Sequence, residues 1–211
     1  MHTTTLVHAT PEADDLISYM ARVSNPKNQN NTETSARLIK YLIKHKHWSP
    51  FEMVNMCVEI NTTRSIAQQI IRHRSFSFQE FSQRYAAVTE PPVIPSIRRQ
   101  DHSNRQNSVD DMNEYTVQEF QLKSQFVYDQ ALMLYDEMIA AGVAKECARD
   151  VLPLATPTKL YMNGTLRSWL HYCDLRCGNG TQYEHKLIAD QAKTLIKMCF
   201  PMVYEAWTDD V

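Results

Sequence analysis

The sequence predicts one α+β domain with more helix than strand, and three observations carry that reading. Residues 54–61 alternate Val54, Met56, Val58 and Ile60 with Asn55, Cys57, Glu59 and Asn61, the period of a half-buried strand. From about 112 to 141, Tyr115, Phe120, Phe126, Val127, Leu134 and Ile139 supply the apolar positions of a long helix, and Gly142 suits the left-handed residue that follows one. Across 211 residues there is no internal repeat, no low-complexity tract and no compositional break, so 1–211 reads as a single domain.

The remaining elements follow in order. Residues 3–8 (TTTLVH) read as a short strand, and Pro11 is tolerated at a helix start, opening EADDLISYMARVS. After the polar break NPKNQNN, Thr32 is a candidate N-cap for a helix whose Leu38, Tyr41, Leu42 and His45 share a face. Beyond the alternating strand, Thr62 or Thr63 can cap RSIAQQIIR, which delivers the chain to Arg72. Residues 91–110, proline-rich and then polar, read as a long surface loop of the functional or mobile kind. AKECARDV forms a short helix ending before Pro153, TKLYMNG a strand, and Thr165 caps LRSWLHYCDLR. A final helix occupies 183–199, before Pro201.

Composition narrows the function. The chain is 43% hydrophobic and 22% charged with a net charge of −2, which excludes a polycation built for nucleic acid. Its positive charge is uneven: Arg64, Arg72, Arg74, Arg84, Arg98, Arg99 and Arg105 fall close together, which suits a small anion better than a long phosphate backbone. With four glycines and neither GxGxxG nor GxxxxGK[ST], a bound nucleotide must be held by side chains and helix ends. The five cysteines form no disulfide framework. MHTTTLVHAT lacks the basic and apolar regions of a signal peptide, and no apolar run reaches the roughly 20 residues a membrane span needs. A reduced, cytoplasmic protein is expected, with no membrane partner.

The chemistry concentrates in RHRSFSFQEFSQRY, residues 72–85. Consecutive Arg72, His73 and Arg74 cannot share one face of a regular element, so the helix must end there and their side chains splay. If the stretch that follows is extended, Glu80, Ser82 and Arg84 share a face. Such a face offers an acceptor, a hydroxyl and a fork-shaped cation, a set that suits a nucleoside monophosphate. A solvated strand edge would have similar composition. Against it, three arginines, a histidine and a glutamate within these residues are groups rarely buried without partners.

Arg72-His73-Arg74, then seven residues, then Ser82 is similar to the signature of the flavin-dependent thymidylate synthases. MARVS (20–24) resembles that family's ARVS segment, HWSPFE (47–52) its His-x-[ST]-Pro-Phe-Glu segment, KECARDVLPL (145–154) its ARxVLP element, and LRSWLHYCDLR (166–176) its RSxxxFxxLR-like helix. All five stand in the family's order and span most of the chain. The resemblance implies a single catalytic domain with a central, mostly antiparallel sheet flanked by helices, one of them long. It implies a homotetramer with active sites at subunit interfaces, binding FAD and methylating dUMP to dTMP. 5,10-Methylenetetrahydrofolate would supply the carbon, and NADPH would reduce the flavin.

Residue by residue, the resemblance implies flavin contacts for Ser49, Arg72, His73, Arg74, Glu80, Thr165, Arg167 and His171. It implies substrate contacts for Gln69, Arg72, Glu80, Ser82, Gln83, Arg84, Arg149 and Arg176. Arg176 is the catalytic expectation: a fixed cation at the N3–O4 edge of uracil stabilises charge developing on the ring and needs no covalent enzyme nucleophile. Its alternative is a pair with Asp174 or a complement to a helix C-terminus, worth ~0.3–1 kcal/mol. His47 is expected on the flavin side, or as a surface pair with His45. The chain departs from the family at Ser49 (commonly threonine), Gln79 (asparagine), Gln83 (glycine) and His171 (asparagine).

Three rivals are weaker. His171, Cys173 and Cys177 lack the second ligand pair of a zinc site, so no metal is expected. Phe76, Phe78, Phe81 and Tyr85 could stack single-stranded nucleic acid, but the balanced charge opposes it. The folate-only thymidylate synthases use a cysteine in a Pro-Cys-His setting, which no cysteine here has.

Overall fold

The computed structural model describes residues 1–209. The chain begins with β1 (Thr3–Ala9), α1 (Ala13–Ala21) and α2 (Ser35–Lys44), then enters β2 (Asn55–Thr63), α3 (Arg64–Ile70) and β3 (Ser77–Glu80). A two-stranded ribbon of β4 (Arg99–Gln100) and β5 (Ser108–Val109) precedes the long α4 (Glu114–Ala140). After it come α5 (Lys145–Ala148), β6 (Pro157–Thr165), α6 (Leu166–Arg176), α7 (Tyr183–Cys199) and α8 (Pro201–Thr208). The central sheet runs in the order β1, β2, β6, β3, with each neighbouring pair antiparallel.

The alternation at 54–61 explains the sheet. Met56, Val58 and Ile60 are fully buried on one face of β2, beside Leu160 and Met162 of its partner β6. Helices α6 and α7 cover that face with Leu166, Trp169, Leu170, Ile188, Ala192 and Ile196. Each such side chain contributes roughly 1.5–3 kcal/mol by leaving water. Trp169 Nε1 donates to the Met56 carbonyl at 2.9 Å, so its one polar atom is satisfied in the core. On the other face of β2, Glu59 pairs with Lys159 at 3.1 Å and accepts from the Tyr161 hydroxyl at 2.9 Å.

Register places the site. Because β2 and β6 are antiparallel from Asn55↔Thr165 to Thr63↔Pro157, α3 and α6 start at opposite ends of the sheet. The segment after α3 returns to pair Ser77 with Asn163, beside the start of α6. Residues 71–76 therefore lie along α6.

Several expectations need correction. Pro11 stands outside α1, which begins at Ala13 behind Glu12 in a left-handed conformation (φ 48°). The residue before α2 is Thr34 rather than Thr32, and the buried face is Ser35, Ile39, Leu42 and Ile43; Tyr41 is exposed. Thr63 precedes α3, but its hydroxyl meets Ser65 Oγ (2.9 Å) instead of capping a backbone N–H. The extended run stops at Glu80; Ser82–Arg84 belong to a turn in which Tyr85 N and Ala86 N donate to the Ser82 carbonyl, so the three residues do not share a strand face. The 91–110 segment contains a ribbon and is not loop throughout. Helix α7 ends at Cys199 as expected but is not the last, because Pro201 opens a further helix, α8.

The long helix is present within the expected bounds, capped by Asn113, whose side chain accepts from Tyr115 N at 2.9 Å, and followed by Gly142 at φ 84°. Of its residues only Tyr135 is buried, in a small second core with Val88 and Ala148. Among the described residues, no helix is long and apolar enough to cross a membrane.

Candidate active site

The residues 71–76 turn is tied to α6 at two levels. Ser168 Oγ donates to the Ser75 carbonyl at 3.4 Å, and Arg176 Nε donates to His73 Nε2 at 2.9 Å. Thr165 starts α6 as expected, its Oγ1 accepting from Ser168 N at 3.3 Å. Such a cap is worth about 1 kcal/mol and sets the rotation of a helix that carries Arg167, His171 and Arg176.

The His73–Arg176 bond requires a bare Nε2 on His73. Burial, then the charges of Arg176 and His171, press the His73 pKa down to about 4, so the ring is neutral near pH 7. Asp174 is not the partner of Arg176; it accepts from Trp207 Nε1 at 3.0 Å. Apart from Nε, the guanidinium N–H groups of Arg176 have no protein partner among the described residues. Tyr172 meets His73 edge-on, with ring centroids 4.9 Å apart.

An open cavity of about 440 Å³ lies on the outer side of this turn, lined by Trp48, Glu52, Ser75, Arg167, Leu170 and His171 among others. Arg167 pairs with Glu52 across it. Ser49 follows Trp48 in the short 3₁₀ turn Ser49–Glu52. Arg72 and Arg74 are exposed and form no ion pair among the described residues. His47 lies in a surface aromatic group, its ring 6.0 Å from Tyr41 and 6.1 Å from His45.

The expected substrate residues divide into two groups. Gln69 and Arg176 are linked through His185, Tyr172 and His73 in turn. Glu80, Ser82, Gln83, Arg84 and Arg149 lie toward the other end of β6, and among the described residues no hydrogen bond or ion pair joins the two groups. Glu80 Oε1 is engaged by Arg64 Nη1 (2.6 Å) and Thr158 Oγ1 (3.0 Å), while Arg84 pairs with Glu146 at 3.1 Å. Gln83 is buried and its Nε2 has no partner. Arg149 reaches only its neighbour Asp150, at 3.9 Å. Phe76 is core, whereas Phe81 and Tyr85 face solvent.

Sequence reasoning missed His185, Tyr172, Gln182 and Glu184. His185 did carry a signal: it precedes Ile188, Ala189 and Ala192 at helical spacing, which puts an imidazole on a buried face.

Cations and neutral histidines gather at helix ends of this α+β fold with no glycine-rich loop, a set of side chains suited to a nucleotide. The chain belongs to the family described as thymidylate synthase complementing protein, which matches residues 5–202. It is 49% identical over 201 residues to the probable flavin-dependent thymidylate synthase of Paramecium bursaria Chlorella virus 1, covering 95% of this chain and 93% of that one. It is 50% identical over 193 residues to the flavin-dependent thymidylate synthase of Synechocystis sp., covering 92% and 88%. A UMP/dUMP methylase, PolB from Streptomyces cacaoi bound with 5-Br dUMP, has the same fold, with a TM-score of 0.89 at 26% identity over 99% of this chain and 95% of that one.

Proposed function

We propose that this protein is a cytoplasmic flavin-dependent thymidylate synthase that methylates dUMP to dTMP, taking its carbon from 5,10-methylenetetrahydrofolate. The observation that carries the reading is the His73–Arg176 pair: a neutral imidazole grips Nε and leaves the outer guanidinium N–H groups for a ligand. Set against the N3–O4 edge of uracil, that charge stabilises negative charge developing on the ring and makes C5 a better nucleophile.

FAD fits the residues present. The exposed, unpaired Arg72 and Arg74 suit a pyrophosphate, and the cavity beside Trp48, Arg167 and His171 suits an aromatic system. Ser49, Arg72, His73, Arg74, Thr165, Arg167 and His171 would hold it, with Glu80 at the far end of β3. When bound, FAD reduced by NADPH supplies the reducing equivalents. Gln69 and Arg176 hold the uracil side of dUMP. Ser82, Gln83, Arg84 and Arg149, with the unpartnered Gln83 Nε2, offer a second anion-binding face. Because the two groups are not joined within one chain, we infer that each active site takes them from different subunits of a homotetramer.

The test is spectroscopic and kinetic. Purified protein should be yellow, bleach with NADPH, and turn over dUMP with methylenetetrahydrofolate. Arg176→Ala should keep its flavin and lose turnover by about a hundredfold or more, in the range of one removed oxyanion-type donor. A colourless parent that takes up no FAD would remove the reading, and full turnover in Arg176→Ala would remove the catalytic assignment.

A further inference from the structure

His185 is fully buried behind the proposed active site, and its two ring nitrogens face two different partners. Nδ1 lies 3.3 Å from Gln69 Oε1, and Nε2 lies 3.1 Å from the Tyr172 hydroxyl. Which nitrogen carries the proton is set from outside, by a chain of hydrogen bonds that begins on the 91–110 segment.

Its polarity is fixed at a carboxylate, which can only accept. Glu184 receives Arg98 Nη2 at 2.8 Å; burial works against its charge, but the bonds from Arg98 and its own backbone N–H hold its pKa below the usual carboxylate range. Gln182 Nε2 donates to Glu184 at 3.0 Å, so the other end of that amide, Oε1, must accept. It accepts from Gln69 Nε2 at 2.6 Å, which turns Gln69 Oε1 inward to His185. An oxygen facing Nδ1 requires a proton there, and a neutral ring then has a bare Nε2 that accepts from the Tyr172 O–H. The polarity is single-valued from Arg98 to Tyr172.

We propose that His185 is a positioning residue that, together with Gln182, locks the Gln69 amide so that it offers dUMP an N–H donor and not its carbonyl. An unrestrained glutamine amide presents either end after a half-turn, since the two ends are nearly the same shape. The locked amide selects an acceptor on the nucleotide: a carbonyl, hydroxyl or phosphate oxygen. His185 touches no ligand itself. Its second bond holds the Tyr172 ring against His73, so one buried imidazole braces Gln69 directly and His73 through Tyr172. The proposal rests on Gln69 being a substrate contact.

Two near-isosteric variants separate the two bonds. In His185→Asn the amide nitrogen falls near Nδ1 and can still donate to Gln69; in His185→Gln the amide lies near Nε2, serves Tyr172 and abandons Gln69. Flavin-loaded enzyme would be titrated with dUMP by calorimetry and assayed for turnover, with flavin content and thermal midpoint as fold controls. The Gln variant should raise the dUMP Kd and KM about tenfold, the worth of one hydrogen bond, with kcat changed less than about twofold. The Asn variant, which keeps the Gln69 bond and loses the Tyr172 bond, should hold the dUMP Kd within about twofold of the parent, with its loss falling on kcat instead. Unchanged dUMP affinity in the Gln variant, or equal losses in both, would overturn the proposal; a parent that binds no dUMP would sink the substrate reading with it. Histidine-selective ¹⁵N spectra of the parent give a check that needs no substitution, since His185 must show a protonated Nδ1 and a bare Nε2. The reverse tautomer overturns the proposal.

Discussion

Arg176 and His73 share a hydrogen bond that only the neutral imidazole can make, and the buried His185 is bound by the same condition. Burial leads both shifts: the His73 pKa falls to about 4 and that of His185 to about 3, from an unfolded value of 6.5. Folded pKa values below the unfolded one mean that the unfolded chain binds more protons between them, so stability falls as pH drops from 6.5 toward 3. His185 alone can contribute a slope approaching ~1.4 kcal/mol per pH unit; half-buried His73 contributes less, because solvent screens it. Urea unfolding at pH 7 and pH 5 should show the loss, and His185→Asn should reduce the difference between the two. An equal pH dependence in that variant and the parent would contradict the assignment. The partner of Arg176 was hidden from the sequence because it lies on a different element, 103 positions away. The nearby Asp174, the obvious candidate, is taken by Trp207.

Among the elements, the junction of β6 and α6 does most to aim the site. Gly164 is needed there for space rather than for backbone freedom: a Cβ at that position would fall 2.4 Å from Phe76 Cδ1. Phe76 is buried against Trp169, with centroids 4.8 Å apart, and it directly follows the residues 72–75 turn. Gly164→Ala should therefore cost about 1–3 kcal/mol by overpacking, and weaken flavin binding as Phe76 pushes on that turn. A thermal midpoint and flavin affinity equal to the parent's would show that the ring can move aside. Elements with a strong local signal were legible: the two-residue period of β2, the Thr165 cap of α6, and Gly142 after α4 each have one physical reading. Failures came where one residue has two readings. Pro201 can close the helical part of the chain or open one more helix, and it opens α8. Nothing in FSQRY marks the turn after Glu80, since it holds neither glycine nor proline, so the sequence leaves an extended run through Arg84 open. In α2, Tyr41 is apolar enough for the spacing to place it inside, yet it stands in solvent next to His45.

At the scale of the molecule, α4 is the element that one chain leaves unexplained. It is 27 residues long, and its only buried residue is near its C-terminal end. Two apolar stripes run along it at heptad spacing, Tyr115–Leu122 continuing through Phe126 to Met133, and Phe120–Val127–Leu134, all exposed. Exposed apolar surface of this extent marks an interaction face, and two stripes on one helix suit two neighbours. That arrangement supports the four-chain assembly inferred from the divided substrate residues. Each large side chain covered on assembly would contribute roughly 1.5–3 kcal/mol, so a charge placed in a stripe should be disruptive. Phe126→Asp is expected to shift the protein toward smaller species in sedimentation velocity. The second core around Tyr135 and the main core do not involve that side chain, so far-ultraviolet circular dichroism should be unchanged. Turnover should fall with the fraction of assembled protein if, as proposed, the two substrate groups meet only between chains. A parent that sediments as a fully active monomer would sink both the assembly and the division of the active site between subunits.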